Sequence, residues 1–165
     1  MLMKNFNKLL FMILFVFALA PAFSQVSGGV DVGIPNGDWS NFEGLGLGLS
    51  LKYEAPIQDK LNWTISGGFV SFSGKTYQGF KSNGITIIPF TGGVKYYLQK
   101  SNDGVYIAGD LGVYFASGSG GNTNRVGFAP ALGYRVNQFD LTFKLNLVSD
   151  FNYVGLRAAY VFPGK

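Results

Sequence analysis

The sequence predicts an all-β fold, an eight-stranded antiparallel up-and-down transmembrane β-barrel. Three observations lead to this prediction. Apolar residues alternate with small or polar residues throughout the chain after residue 25, and strong helix signals are absent there. The charged residues of these alternating segments all fall on the face opposite the apolar one. Alternating segments of about ten residues, separated by turns, are typical of membrane barrels.

The first 24 residues are predicted to be a secretory signal peptide. Lys4 and Lys8 precede an unbroken apolar run over 9–20, and the small residues Ala22 and Ser24 suit a cleavage site. A membrane-spanning helix would need roughly 20 apolar residues, and this run is shorter, so we favour a signal peptide. We expect cleavage after Ser24. The barrel domain is then expected over 25–165, and the lack of cysteine at the cleavage site argues against a lipid anchor.

The first four strands are predicted at about 27–35, 44–54, 61–72 and 85–98. Each is justified by apolar residues at every second position, which lie on one side of a strand. Strand by strand, these residues are Val30, Val32 and Ile34; Leu45, Leu47, Leu49 and Leu51; Leu61, Trp63 and Ile65; and Ile88, Phe90 and Val94.

The last four strands are predicted at about 105–116, 125–136, 139–149 and 152–162. The same period-2 pattern justifies them. Their apolar sets are Val105, Ile107, Leu111, Val113 and Phe115; Val126, Phe128, Leu132 and Tyr134; Phe139, Leu141, Phe143, Leu145 and Leu147; and Val154, Leu156, Ala158, Tyr160 and Phe162.

The connections are compact after the second, fourth and sixth strands and longer after the first, third and fifth. Short turns on one side and longer loops on the other are the layout of a bacterial outer-membrane barrel. Both chain termini are then expected on the periplasmic side. The charge-free segment 117–124 is interpreted as a flexible surface loop.

Apart from Arg125 at the first position of the sixth strand, nine charged residues fall inside the predicted strands, and all nine are expected to point into the barrel as a structural charge network. They are Asp31, Lys52, Glu54, Lys95, Asp110, Arg135, Asp140, Lys144 and Arg157. A Lys or Arg at the lipid midplane costs about 2–4 kcal/mol, which explains why the other face is free of charge. We expect the small residues Gly46, Gly48 and Ser50 to leave room for long inward side chains such as Arg135 or Arg157.

Outward aromatic residues are expected to form a girdle at the periplasmic edge of the bilayer. Tyr and Trp favour the interface between lipid and water, and these residues lie close to the compact turns or the C-terminus. They are Tyr53, Trp63, Tyr96, Tyr134, Phe139, Tyr160 and Phe162.

With these patterns, residues 26–162 resemble the small eight-stranded outer-membrane β-barrel proteins of Gram-negative bacteria, the OmpA-like or porin-like family of barrel domains. The resemblance rests on the strand pattern, the signal peptide and Tyr160-Val161-Phe162 near the end. It implies a monomer in the cell outer membrane, surrounded by outer-membrane lipid and assembled by the barrel-assembly machinery. Pro89 and Pro130 depart from an ideal strand, and bulges are expected to accommodate them.

The composition excludes several function classes. The chain has no histidine, which removes Ser–His–acid triads and most metal sites, and it has no cysteine for disulfides. Two of the 13 Lys and Arg residues lie in the signal peptide, which leaves 11 against 9 acidic residues, so a nucleic-acid-binding patch is not indicated. We expect no catalytic residue, metal or cofactor.

The favoured function is therefore a non-enzymatic outer-membrane barrel with a structural or surface-recognition role. Eight strands enclose a space that side chains can fill, so a general pore is not expected. Two alternatives stay open: a narrow channel or carrier for small or apolar solutes, and a soluble periplasmic lipid-binding barrel. The sequence names no extracellular ligand.

Overall fold

Strands make up most of the chain in the computed structural model, which describes residues 24–77, 79–81, 83–99, 103–118 and 121–163. The predicted signal peptide lies outside the described residues except for Ser24. In chain order the strands are β1 (Gln25–Asn36), β2 (Glu43–Gln58), β3 (Leu61–Gly74), β4 (Thr76–Tyr77), β5 (Phe80–Lys81), β6 (Ile85–Tyr97), β7 (Gly104–Gly118), β8 (Gly121–Val136), β9 (Phe139–Val148) and β10 (Asn152–Phe162).

Eight of these strands form a closed antiparallel barrel in the order β1-β10-β9-β8-β7-β6-β3-β2. The first and last strands close it, with Val26 opposite Phe162 and Asn36 opposite Asn152. The predicted fold class is confirmed, and each predicted strand matches an observed one to within a few residues. Closure leaves no free sheet edge, so the backbone groups of all eight strands have ladder partners.

The barrel has two different ends. We call the end where β1 begins and β10 ends, with the connections 59–60, 98–103 and 137–138, the turn end. Asn137 makes its two-residue turn possible by adopting a positive φ of 53°, a conformation that Asn tolerates. The opposite end, which we call the loop end, carries a short 3₁₀ helix at Asp38–Asn41 and the small β4–β5 hairpin.

The prediction of a flexible loop over 117–124 was wrong for most of its length. β7 continues to Gly118 and β8 begins at Gly121, with Ala116 opposite Thr123 in regular register. Gly121 has a φ of 110°, which only glycine adopts easily, and this allows a tight reversal. The Ser117 hydroxyl also donates a hydrogen bond to Asn122 Oδ1, 2.7 Å away. Strand pairing extends here because the polar residues satisfy each other across the hairpin.

The predicted bulges at Pro89 and Pro130 are not present. On both sides of Pro89 the β3–β6 register is the same, from Gly67 opposite Phe90 to Val70 opposite Ile87. The β8–β9 register is likewise unchanged across Pro130. Each proline therefore interrupts the ladder locally without shifting it. The described register shifts fall in the β2–β3 pair instead, between Glu43 and Gly46 and between Pro56 and Gln58.

The outer face of the barrel is apolar along its length. Its exposed large residues include Leu47, Leu51, Phe90, Leu111 and Val126, all at least 60% exposed. Among the described residues, no helix is long and apolar enough to cross a membrane. The core of this protein lies inside the barrel, where the polar and charged residues are buried.

Candidate functional site: the barrel interior

The structure places all nine charged residues of the predicted interior set on the lumen face of the barrel. Seven of them are less than 9% exposed, and Asp31 and Lys144 are of intermediate exposure. They separate into two groups along the barrel axis. We call Glu54, Lys95, Arg135 and Asp140 the turn-side layer, and Asp31, Lys52, Asp110, Lys144 and Arg157 the middle layer.

In the turn-side layer, Lys95 lies between two carboxylates. Its Nζ is 3.0 Å from Glu54 Oε2 and 2.7 Å from Asp140 Oδ2. Arg135 Nη1 is 3.9 Å from Glu54 Oε1, so two cations face two anions. Asn62 also donates to Glu54 Oε1 at 2.6 Å. The low dielectric of this region makes such pairing necessary, because an unpaired buried charge is costly.

Two tyrosines complete the turn-side layer. The Tyr97 hydroxyl donates to Glu54 Oε1 at 3.0 Å, and the Tyr106 hydroxyl donates to Asp140 Oδ1 at 2.6 Å. Lys95 Nζ lies 3.9 Å from the centre of the Tyr106 ring, a cation–π contact. Both tyrosines are sequence neighbours of outward residues, Tyr96 and Ile107, so the period of two predicts the inward face for them. The pattern gives no signal that their hydroxyls join the charge network.

The middle layer is less tightly paired. Lys52 Nζ and Lys144 Nζ are each 3.6 Å from the same oxygen, Asp110 Oδ2. The other oxygen of Asp110 accepts a hydrogen bond from the Thr64 hydroxyl at 3.1 Å. Neither ammonium group is therefore within ordinary hydrogen-bond length of its carboxylate.

Arg157 is linked to Asp31 through a serine. Ser50 Oγ donates to Asp31 Oδ2 at 2.5 Å and accepts from Arg157 Nε at 2.8 Å. Arg157 Nη2 also donates to the backbone oxygen and the hydroxyl of Ser27, at 3.2 and 3.1 Å. The hydrogen bond from Arg157 Nε to Ser50 Oγ is consistent with the expectation that the small Ser50 leaves room for Arg157.

An apolar plug closes the lumen at the loop end. It consists of Val70, Phe72, Ile87, Tyr114, Ala116, Val148, Phe151 and Tyr153, each no more than 5% exposed. Trp39 of the 3₁₀ helix packs edge-on against Phe72, with ring centres 5.0 Å apart, and its Nε1 donates to Asn152 O at 2.7 Å. Seven of its eight residues belong to barrel strands, and Phe151 belongs to the connection between β9 and β10.

Inward glycines make space for aromatic rings more than for arginines. A Cβ on Gly133 would lie 2.1 Å from Tyr106 Cζ, and a Cβ on Gly46 would lie 2.7 Å from Phe72 Cδ1. Gly48 is different, because its Cβ would meet the backbone oxygen of Phe69. The predicted arginine space at Gly46 and Gly48 is thus filled by the Phe72 ring and by the neighbouring strand, since the barrel is narrow.

The seven residues of the predicted girdle lie on the outer face near the turn end. Tyr53 packs against Trp63 with ring centres 5.2 Å apart, and Tyr160 contacts both Phe139 and Phe162 at 5.8 and 5.3 Å. Tyr96 and Tyr134 are 41% and 53% exposed. The Tyr160 hydroxyl donates to Gln138 Oε1 in the adjacent turn. The five Tyr and Trp side chains thus combine an apolar ring with a polar group at the rim of the barrel, and Phe139 and Phe162 add apolar surface beside them.

The interior offers little to a metal ion. In the ranges that the structure describes, no group of three or more His, Cys, Asp or Glu residues is arranged to hold one. The buried carboxylates are instead surrounded by Lys, Arg and hydroxyl groups. The arrangement is that of a packed polar core.

Comparison with known proteins identifies solved structures that share the fold of this chain. No family model and no curated protein matches the chain. The solved structures that resemble it include Ail, the attachment invasion locus protein of Yersinia pestis, at 17% identity and a TM-score of 0.57, over 84% of this chain and 97% of that one. Neisserial surface protein A matches at 15% identity and a TM-score of 0.58, over 84% and 94% of the two chains. The outer membrane protein OprG from Pseudomonas aeruginosa matches at 13% identity and a TM-score of 0.52, over 84% and 95%.

At these identities the likeness shows the fold. The chain has the architecture of the eight-stranded outer-membrane β-barrels, and the resemblance predicted from the sequence is confirmed at that level.

Proposed function

We propose that this protein is an integral outer-membrane β-barrel that acts without catalysis, in a structural or surface-recognition role, with its interior filled by side chains. The observation that carries the proposal is the combination of an apolar outer face with a lumen occupied by ion pairs and closed by the apolar plug. A barrel of this kind suits lipid outside and a solid core inside.

The outer aromatic residues support one orientation of the barrel in the membrane. All outward Tyr and Trp residues of the eight strands lie at the turn end, which supports a periplasmic girdle there. The loop end would then face the outside of the cell. A cleaved signal peptide and the barrel-assembly machinery would bring the chain to this location, where it is expected as a monomer.

Surface recognition is proposed for the loop end because this end carries the 3₁₀ helix and the β4–β5 hairpin. This end carries Asp38, Glu43 and Asp150 against Lys75, Lys81 and Arg125, so its formal charge is balanced. Ail has been solved in complex with the heparin analogue sucrose octasulfate. The balanced charge here does not favour a sulfated ligand of that type, because sulfate groups require an excess of cations.

The two alternatives are less well supported. A narrow channel needs a continuous lumen, whereas the cavity in the middle of the barrel has a volume of only about 40 Å³. A soluble lipid-binding barrel needs a polar outer face, whereas the outer residues here are apolar and exposed. Both alternatives can be tested together with the main proposal.

The test is membrane fractionation combined with a gel that compares boiled and unboiled samples. We expect the protein in the outer-membrane fraction, with faster migration before boiling because the closed barrel stays folded in detergent. Recovery in the soluble periplasmic fraction after osmotic shock would overturn the proposal in favour of the soluble barrel.

A further inference from the structure

The middle layer has more positive than negative charge. Its cations are Lys52, Lys144 and Arg157, and its carboxylates are Asp31 and Asp110. The turn-side layer, by contrast, pairs two cations with two carboxylates. The excess of one positive charge among these nine residues therefore lies in the middle layer.

This level lies inside the barrel between two packed layers. Tyr114 and Tyr153 of the apolar plug form its ceiling towards the loop end, and the turn-side layer lies below it. Lys52 is 5% exposed and Arg157 is 2% exposed. Water and salt cannot screen the extra charge freely here, so a counter-ion inside the barrel would lower the free energy of the folded state.

The geometry around Asp110 leaves hydrogen-bonding capacity unused. Its Oδ2 is buried and has no hydrogen-bond partner among the described residues, although two ammonium groups approach it. Both N–O distances are 3.6 Å, too long for the N–H donors to be satisfied by this oxygen. Lys52 and Lys144 thus need a further acceptor on the side away from Asp110.

A cavity of about 40 Å³ lies beside these groups. Its lining includes Asp31, Ser50, Asp110, Lys144, Asn146 and Arg157. The volume is larger than one water molecule needs and too small for a large organic anion. It is therefore a space of ionic size, bordered by two of the three middle-layer cations and by both middle-layer carboxylates.

We infer that the middle cavity binds one small monovalent inorganic anion, of the chloride type, between Lys144 and Arg157 and close to Lys52. The ion accepts hydrogen bonds from the ammonium and guanidinium groups and neutralises the excess charge. Water alone could satisfy the donors, but it would leave the charge uncompensated. The ion would enter while the barrel assembles and would then form part of its core.

The test uses the complete barrel refolded in lipid vesicles and unfolded by urea, in sodium chloride or in sodium gluconate of the same ionic strength. Gluconate is too large for the cavity and serves as the reference anion. If one chloride binds the folded state, the folding equilibrium constant rises about tenfold for each tenfold rise in chloride above the dissociation constant. Equal unfolding midpoints in the two salts would overturn the inference.

Two variants make the assignment specific. Lys144→Met removes a middle-layer cation, so we expect the difference between chloride and gluconate to disappear. Lys60→Met makes the same chemical change in the turn between β2 and β3, where Lys60 Nζ donates to Leu98 O, and should retain the difference. A chloride effect that persists unchanged in Lys144→Met would place the anion elsewhere and contradict the proposal.

Diffraction gives an independent answer if Lys144→Met does not fold. Crystals of the unaltered protein grown in sodium bromide should show an anomalous peak in the middle cavity, within contact distance of Lys144 Nζ. A cavity that holds only water in bromide crystals would overturn the inference.

Discussion

At the residue scale, the buried carboxylate of Asp140 joins three hydrogen-bond donors. It accepts hydrogen bonds from Lys95 at 2.7 Å, from the Tyr106 hydroxyl at 2.6 Å and from the Thr142 hydroxyl at 2.8 Å. Three donors from three strands therefore meet on one side chain. Burial removes both Lys95 and Asp140 from water, so loss of one of these charges leaves the other buried without a partner.

Asp140→Asn is expected to lower the free energy of unfolding by about 3–5 kcal/mol, because it removes a buried charge beside Lys95 and places amide hydrogens where donors already point. Asp150→Asn is the matched control. Its partner Arg125 forms an ion pair with side chains 42% and 55% exposed, and we expect a loss of about 0–1 kcal/mol. Urea unfolding in lipid vesicles measures both, and equal losses would contradict the interior network.

At the scale of the strand, glycines have opposite roles on the two faces. A Cβ on the inward Gly133 would lie 2.1 Å from the Tyr106 ring, whereas a Cβ on the outward Gly28 would lie 3.6 Å from Leu51 Cδ2, an ordinary contact. Inward glycines thus follow from crowding across the lumen. The outward position tolerates a side chain.

Gly133→Ala should therefore destabilise the barrel by about 1–3 kcal/mol through overpacking against Tyr106. Gly28→Ala should be neutral or should stabilise it by up to about 1 kcal/mol, because alanine restricts the unfolded chain. Thermal or urea unfolding of the two variants under identical conditions provides the comparison. A larger loss for Gly28→Ala would show that the inside and outside of these strands had been exchanged.

Two outward positions of β2 allow a second comparison, because they lie at different depths in the bilayer. Leu49→Arg places a cation in the middle of the apolar band, at a cost of about 2–4 kcal/mol, whereas Ile57→Arg places it next to the turn end, at about 0–1 kcal/mol. The two residues are similarly exposed, 53% and 56%, so exposure does not explain a difference. Folding yield and urea midpoint in vesicles should fall much more for Leu49→Arg; similar values would contradict the membrane position proposed for β2.

The strands and their faces could be predicted from the sequence because lipid imposes one requirement on every outward position. Leu45, Leu47, Leu49 and Leu51 indicate a register by themselves, whatever the neighbouring strand contains. The partners inside the barrel could not be predicted in this way. Lys95 meets Asp140 because the strand order and stagger bring β6 and β9 within reach across the lumen, and neither is encoded in a period of two.

Local turn chemistry was harder to predict than the strands. The segment 117–124 contains only Ser, Gly, Asn and Thr, which are common in loops, yet it extends β7 and β8. Strand pairing outweighs the loop preference of these residues because β7 and β8 are long strands that are already in register. Likewise, Pro89 stays in an unshifted strand because closure of the barrel fixes its neighbours.

At the scale of the whole molecule, the lumen is closed by the wall itself. Phe72, Tyr114 and Tyr153 of the apolar plug belong to β3, β7 and β10, and only a minor part of the plug comes from connections. The loops are therefore not required to keep the barrel shut. This separates the proposed surface role of the loops from the solid core of the barrel.

Purified barrels in planar bilayers are accordingly expected to show no large steady conductance. Shortening of the connections at 37–42 and 75–84 should leave the bilayer current unchanged, because the wall residues still close the lumen. The unboiled gel band provides the control that each variant is folded. Stable ion-conducting steps from folded protein, with or without these loops, would favour the channel alternative.

The bonds that cross the lumen also have a mechanical consequence. Glu54 and Arg135 join β2 to β8, which are diametrically opposite in the strand order, and Lys95 and Asp140 join β6 to β9. A hollow tube under uneven lateral pressure flattens into an ellipse, because bending its wall costs little. Here flattening would lengthen some of these contacts and compress others, so the circular cross-section should resist changes in bilayer tension and thickness.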